Sequence, residues 1–361
     1  MKKSKVKTIG ILTSGGDAPG LNTAIRGLAR TCIQQYGIKI IGIQNGYRGL
    51  ILGDGQEMGP DDFSGILTRG GTILGTSRTK PFKKPMPDPK TGLLPIEAIK
   101  QNYKKWNLDA LCVLGGNGTN TTAGLLAEEG LNVIGLPKTI DNDIVETDVT
   151  IGFHTAVDVA TEAIDRLHTT AHSHNRIMVI ELMGHKAGWL GLYSGVAGGG
   201  DVILLPEIPY HVDSIAQHLK QRKIAGKPFS IVVVAEGALS EAESFLSKKE
   251  FKKNRTGMIG SIGYRVAREL EAATGLESRV SVLGYLQRGG IPSPYDRVLA
   301  TEFGVRAAHM VAAGDFGKMV AKCGDSFVGI PLKKVAGKVK SVPLDHPAII
   351  SARDVGSCFG D

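Results

Sequence analysis

The feature that most constrains this chain is a repeated pattern. A short, wholly apolar run ends abruptly in glycine or a polar residue, and a longer amphipathic stretch follows. KTIGILTS, IKIIGIQ, ALCVLGG, LNVIGLP, RIMVIELM, DVILLPE and SIVVVAEGA are the runs. Apolar residues at every position, rather than at alternate ones, mark strands covered on both faces. Between the runs lie helical patterns at about 21–35, 118–129, 154–172 and 212–223. Such alternation predicts an α/β chain with mostly parallel sheets, whose ligand sites lie where strands end. KPFKKPMPDPKTG, residues 80–92, is too rich in Pro and Lys for regular structure.

Length and composition narrow the function. A chain of 361 residues is expected to form two domains, and 42% hydrophobic residues suffice for large cores. Among the 48 glycines, GG pairs recur at the ends of apolar runs, where a backbone can approach a ligand closely. An excess of 43 basic over 35 acidic residues gives a net charge of +8. No aromatic-interleaved stripe accompanies the basic clusters at Lys2–Lys7, Lys80–Lys84 and Lys248–Lys253, so they read as solvated surface and not as a nucleic-acid face. Cys32, Cys112, Cys323 and Cys358 lack pairing or metal spacing and read as thiols of a reducing compartment. TIGIL is too short for a signal segment, and no apolar run approaches the ~20 residues that span a bilayer. A cytoplasmic protein with no membrane partner is expected.

Four stretches carry chemistry. LTSGGDAPGLNTAIRG (12–27) sets Gly15 and Gly16 before a helix, whose free N–H groups and positive end suit an anion. It is neither a P-loop nor G-x-G-x-x-G. RGGTILGTSRT (69–79) offers Arg78 and Thr79 at a glycine-rich turn. LGGNGTNTTAG (114–124) repeats the first design with Gly116, Asn117, Gly118 and the Thr119 hydroxyl, so the two turns could face one nucleotide. GLPKTIDNDI (135–144) places Asp141 and Asp143 two residues apart, in similar directions if extended, as suits a general base beside a metal-water ligand. Each has a plainer reading as an ordinary turn or surface residue. Further strand ends hold Arg176, Met183–Gly184–His185, Glu236, Arg279, Tyr285 and Arg288, and three arginines would grip a sugar phosphate's dianion. His172, His174 and His185 lack H-E-x-x-H spacing, which argues against zinc.

Taken together, TSGGDAPGLN, GGNGT, PKTIDND, SHNR, MGHKAG, AEGA and QRGGIPSPYDR, in this order, closely resemble the 6-phosphofructokinase family from about Thr8 to Ala300. The resemblance implies two similar Rossmann-like domains with the active site in the cleft between them. Residues 1–152 with about 287–335 would form the phosphoryl-donor domain, and 153–286 with about 336–361 the fructose 6-phosphate domain. It implies ATP-dependent phosphorylation of the sugar's 1-hydroxyl with Mg2+, with Asp141 as base and Thr139 and Asp143 in its loop. Gly16 and Arg78 would stabilise the transferring group, and Thr79, Gly116, Asn117, Gly118 and Thr119 would bind the donor. The sugar phosphate would be held by Thr139, Asp141, Arg176, Met183, Gly184, His185, Glu236, Arg279, Tyr285, Leu286, Gln287 and Arg288. Arg176 and Arg279 match positions supplied by a neighbouring subunit, so a dimer or tetramer with shared sites follows.

Three departures from the family pattern matter. Asn117 stands where a metal-contacting Asp is usual; it keeps an oxygen ligand but loses a charge, which weakens direct magnesium binding there and leaves the ion mainly on ATP, Asp141 and Asp143, with water between. Gly118 matches ATP users, whereas Lys138 is typical of pyrophosphate users; a block at 118 is the stronger exclusion, so ATP is expected and pyrophosphate is the alternative. At the family's effector site Arg26, Arg30, Lys227 and Glu207 match, but His168 and Ala225 replace cations, which predicts weakened effector control. A lipid or NAD kinase would share the GG-x-G-T turn but lacks TIDND and MGHKAG. A non-catalytic sugar-phosphate sensor is the remaining alternative.

Overall fold

The computed structural model describes residues 2–83, 85–88, 91–247, 250 and 261–361. Of the basic clusters, Lys84 and all of 248–253 except Glu250 lie outside the described residues. The chain forms two compact units, each drawn from separate stretches. Met1–Ile140, Ile144–Thr155 and Arg288–Val339 make the first; Asp141–Asp143, Ala156–Gln287 and Lys340–Asp361 make the second.

The first unit is built on a seven-stranded sheet. Its strands are β1 (Thr8–Ser14), β2 (Lys39–Ile43), β3 (Gly55–Met58), β4 (Ala110–Gly115), β5 (Val133–Pro137), β10 (Lys318–Cys323) and β11 (Ser326–Pro331). They run in the order β11-β10-β5-β4-β1-β2-β3, parallel except at the two edges, where β3 and β11 are antiparallel. β4 and β5 are buried at every position, as their uninterrupted apolar sequences require. Leu12, Val113, Val133, Ile99, Leu126 and Met319 share one core. Burying each such side chain contributes about 1.5–3 kcal/mol.

Helix α1 (Leu21–Thr31) packs along α10 (Pro294–Ala313), and glycines set how closely. A Cβ on Gly304 would lie 2.4 Å from the Ala24 carbonyl, and one on Gly27 would lie 2.8 Å from that of Thr301. The helix expected to reach Gln35 is regular only to Thr31; Cys32–Tyr36 is a wider π turn. Left-handed Gly37 closes it by donating back to Ile33 and Cys32.

The second unit holds a parallel four-stranded sheet, β7-β8-β6-β9. These strands are β6 (Ile177–Leu182), β7 (Val202–Leu204), β8 (Ser230–Ala235) and β9 (Ser278–Val282). Successive residues point to opposite faces. Val179 and Val232 therefore join a core with Leu219, Val266 and Leu270, while Ile180 and Val233 join another with Ala160 and Ile164. The C-terminal end of the chain runs beside β7, with Ile203 N–H donating to Cys358 O (2.8 Å) and Cys358 N–H to Asp201 O (3.0 Å). Among the described residues no helix is long and apolar enough to cross a membrane.

Candidate active site

In the first unit, the connection from β1 leads to β2 on one side, while β4 and β5 lie on the other. The carboxyl ends of β1 and β4 thus flank the point where strand order reverses, the place where open α/β sheets bind ligands. Ser14 is paired with Gly115, so the Gly15–Gly16 and Gly116–Gly118 turns are neighbours. The Thr119 hydroxyl donates to Ser14 O (3.2 Å), and Thr119 O accepts from the buried Tyr47 hydroxyl (2.9 Å). Thr119 therefore holds the two turns together through its own side chain.

The loop carrying Arg78 and Thr79 is docked on the first turn. Thr13 Oγ1 donates to Gly75 O (2.6 Å), Gly15 N–H to Ser77 O (2.9 Å) and Thr76 Oγ1 to Gly15 O (2.7 Å). Arg78 itself is exposed. The Arg288 guanidinium lies against Gly16, with Nη1 2.1 Å from where a Cβ would stand, so any side chain at 16 would push it aside; it also donates to Asp17 O (3.1 Å). Lys138 follows β5, is 2% exposed and donates through Nζ to the Gly16 carbonyl. This buried ammonium beside the turn had no signal in local sequence, since its partner is 122 residues away.

Gly116 caps helix α4 (Asn117–Glu128), whose first N–H groups have no partner within the helix. Gly118 is exposed, and a Cβ there would meet nothing within 4 Å. Packing does not demand glycine at this position, and within a helix glycine costs about 1 kcal/mol relative to alanine. Asn117 Nδ2 donates to the Lys338 carbonyl, while its Oδ1 accepts from Thr121 Oγ1 (3.4 Å). A carbonyl acceptor requires a donor, so an amide suits this place and an ionised aspartate does not.

In the second unit Asp141, Asn142 and Asp143 are 9%, 4% and 6% exposed, an unusually polar buried turn. Asn142 at its centre is left-handed (φ 50°). Thr139, on the first unit's side of this chain crossing, is also buried, and its carbonyl accepts from Thr150 Oγ1 (2.6 Å). Leu182 at the end of β6 pairs with Ala235 at the end of β8, which brings the Met183–Gly184–His185 and Glu236 loops together. His185 N–H donates to Glu236 Oε1 (2.8 Å), and His185 takes the left-handed conformation (φ 53°). Gln287 is wholly buried; its Nε2 donates to Gly284 O (3.1 Å) and its Oε1 accepts from Met183 N–H (3.2 Å). It braces the Met183 loop, whereas its neighbours Tyr285 and Leu286 are exposed.

Arg176 Nε donates to Glu277 Oε2 (2.5 Å), and Arg279 Nη2 donates to Glu277 Oε1. The hydrogen bond from Arg176 holds the Glu277 carboxyl below its ordinary range. One carboxylate thus sets two guanidiniums side by side. Of the positions expected at an effector site, His168 Nε2 meets the Gly198 carbonyl at 2.7 Å, and Glu207 accepts from Gly188 N–H (2.9 Å) and Val342 N–H (2.9 Å).

Among the described residues no group of three or more His, Cys, Asp or Glu side chains could cage a metal. Magnesium is usually held by one or two carboxylates together with substrate phosphates. A pair such as Asp141 and Asp143 fits an ion that arrives with phosphate.

The nucleotide-type glycine turns at a sheet switch point, with a buried acidic turn and a double-arginine surface, define a phosphoryl-transfer class of protein. Residues 8–311 match the phosphofructokinase family, and the chain belongs to it. It is 63% identical to the ATP-dependent 6-phosphofructokinase of Spirochaeta thermophila over 370 aligned residues, covering all of both chains. It is 47% identical to the pyrophosphate–fructose 6-phosphate 1-phosphotransferase of Amycolatopsis mediterranei, covering 94% of this chain and 97% of that one. Among solved structures it resembles Pichia pastoris phosphofructokinase in the T-state with a TM-score of 0.79 at 33% identity. That match covers 91% of this chain but 35% of the longer yeast chain.

Proposed function

We propose that the protein transfers the γ-phosphoryl of ATP to the 1-hydroxyl of D-fructose 6-phosphate, giving fructose 1,6-bisphosphate and ADP. The observation that carries this is the pair of glycine turns side by side at the switch point, with Gly118 left open toward solvent. An open glycine in the first turn of α4 leaves room for the extra phosphate and nucleoside that distinguish ATP from pyrophosphate. The high identity to an enzyme named as ATP-dependent supports the same donor.

In this reading the first unit binds the donor and the second the sugar phosphate. Asp141 accepts the proton from the 1-hydroxyl as its oxygen attacks the γ-phosphorus. Gly16 N–H and Arg78 meet the charge on the transferring group, and such positioning and electrostatic terms carry most phosphoryl-transfer catalysis. Thr79, Gly116, Gly118 and Thr119 shape the donor site, with Lys138 buttressing it through Gly16. Bound magnesium supplies charge neutralisation on the phosphates, with Asp143 and Asp141 as the protein's contribution. Asn117 serves the fold through Lys338 rather than the metal.

Thr139, Met183, Gly184, His185, Glu236 and Arg288 hold the sugar, and Gln287 supports Met183. The surface pair Arg176 and Arg279, ordered by Glu277, suits delivery to the sugar phosphate of a neighbouring copy, which makes the working form a homo-oligomer, dimer or tetramer. The protein acts in the cytoplasm, without nucleic-acid or membrane partners.

Pyrophosphate is the second reading, favoured by the buried Lys138 beside the phosphate turn. Assaying fructose 6-phosphate with ATP and with pyrophosphate at matched magnesium tests the choice. Turnover with ATP is expected; robust turnover with pyrophosphate and none with ATP would reverse it.

A further inference from the structure

The chain passes from the first unit to the second between Val339 and Lys340, in a segment that carries no motif. Lys340 is nevertheless held at four points. Its backbone N–H donates to Asp143 O (2.8 Å), and its Nζ donates to Asn142 Oδ1 (3.2 Å). Its carbonyl accepts from Trp189 Nε1 (2.8 Å), and its ammonium lies 5.2 Å from the centroid of the same indole. Trp189 is the first residue of helix α6 (Trp189–Ala197) and is itself buried, with His346 edge-on at 5.2 Å.

Two residues on, Val342 N–H donates to Glu207 Oε1, the same carboxylate that accepts from Gly188 N–H. The strap from Lys340 to Val342 is therefore fixed to the start of α6, the helix that follows the Met183–Gly184–His185 loop. From that base it reaches the middle of the acidic turn.

The turn needs such a hold. A left-handed residue other than glycine is disfavoured by about 1–2 kcal/mol, less for Asn, whose short polar side chain finds local partners. Here Lys340 supplies a partner for the Asn142 side chain and another for the Asp143 carbonyl, on either side of the bend between two carboxylates. A charge-assisted bond from an ammonium is roughly twice as strong as a neutral one, and the indole face adds about 0.5–2 kcal/mol of cation attraction. The geometry points to Lys340 as a positioning residue for catalysis: it sets the Asp141–Asp143 turn so that the Asp141 carboxylate meets the attacking hydroxyl. This rests on the reading of Asp141 as base. It gives the C-terminal segment a function that composition and motif could not assign.

The test compares Lys340→Met and Lys340→Arg with wild type in the full-length protein, by steady-state kinetics with ATP and fructose 6-phosphate. Amide hydrogen exchange of peptides spanning 138–147 is measured alongside. Lys340→Met keeps the stem but loses the ammonium. It is expected to lower kcat about 10–100-fold, the scale of a sub-ångström to 1 Å misplacement, with both KM values within about threefold. Exchange across 138–147 rises, and Lys340→Arg recovers most of kcat. Turnover within twofold of wild type in Lys340→Met, or lost turnover with unchanged exchange in the turn, would overturn the proposal. Asp141→Asn, prepared in parallel, separates the two ideas. If it keeps wild-type turnover the base assignment falls, while the exchange behaviour of Lys340→Met still decides whether Lys340 orders the turn.

Discussion

Replacing Asn117 with the aspartate usual in the family should destabilise this protein, although the change restores a familiar residue. The Asn117 amide donates to the Lys338 carbonyl, and Gly337 N–H donates to Thr121 Oγ1 (3.1 Å) alongside it. Together these bonds dock residues 337–338 on the first turn of α4. In Asn117→Asp the donor is lost, which costs about 1 kcal/mol. A carboxylate then faces a carbonyl oxygen in a half-buried place, adding about 1 kcal/mol more. A negative charge at the start of a helix returns about 0.3–1 kcal/mol through the dipole. The balance is a loss of about 1–1.7 kcal/mol, or roughly 2–7 °C in melting temperature for a large domain.

The pH dependence is diagnostic. The new carboxyl regains a donor only when protonated, so its pKa in the folded state is raised above the ordinary value near 3.9. The stability it restores is present below that value and lost as pH rises through the folded pKa. The deficit of Asn117→Asp relative to Asn117→Ala should be full above about pH 6 and shrink toward pH 4. Thermal unfolding monitored by circular dichroism across that range reads it directly. A variant as stable as wild type at pH 7, or a deficit that does not change with pH, would refute the argument.

Other substitutions test the remaining assignments. Asp141→Asn should lower kcat about 10²–10⁴-fold, the range of a lost general base, while equilibrium binding of fructose 6-phosphate persists; retained turnover would remove Asp141 from the chemistry. Gly118→Asp enters open space, so stability should hold or rise by a few tenths of a kcal/mol while the KM for ATP rises at least tenfold. Unchanged ATP kinetics would show that the opening is not used by the donor. Gly304→Ala drives a Cβ into the Ala24 carbonyl and the Leu28 amide of α1 and should cost about 1–3 kcal/mol in chemical denaturation; a neutral result would mean that the α1–α10 contact is slack.

The sequence by itself determined the elements and the glycine turns that end them. The near-continuous apolar character of β4, β5, β6 and β8, interrupted only by Glu181 and Ser230, is a local property, set by burial on both faces, and it is legible without knowing any neighbour. Glycine pairs at the ends of β1 and β4 are local signals too, because a turn's backbone geometry is decided within a few residues. Where the helical pattern overran, at Cys32–Tyr36, the cause was a closing interaction at Gly37 that periodicity does not encode.

The tertiary structure decided what the polar side chains at those turns hold. Asn117 meets a carbonyl 221 residues away, Lys138 one 122 residues away, and Lys340 an amide 198 residues away. Gln287, expected at the substrate, lies buried beneath Met183. A residue's type states only which bonds it can make. Which of them it makes depends on groups brought near by the packing of strands and helices remote in the chain, and no local pattern records them.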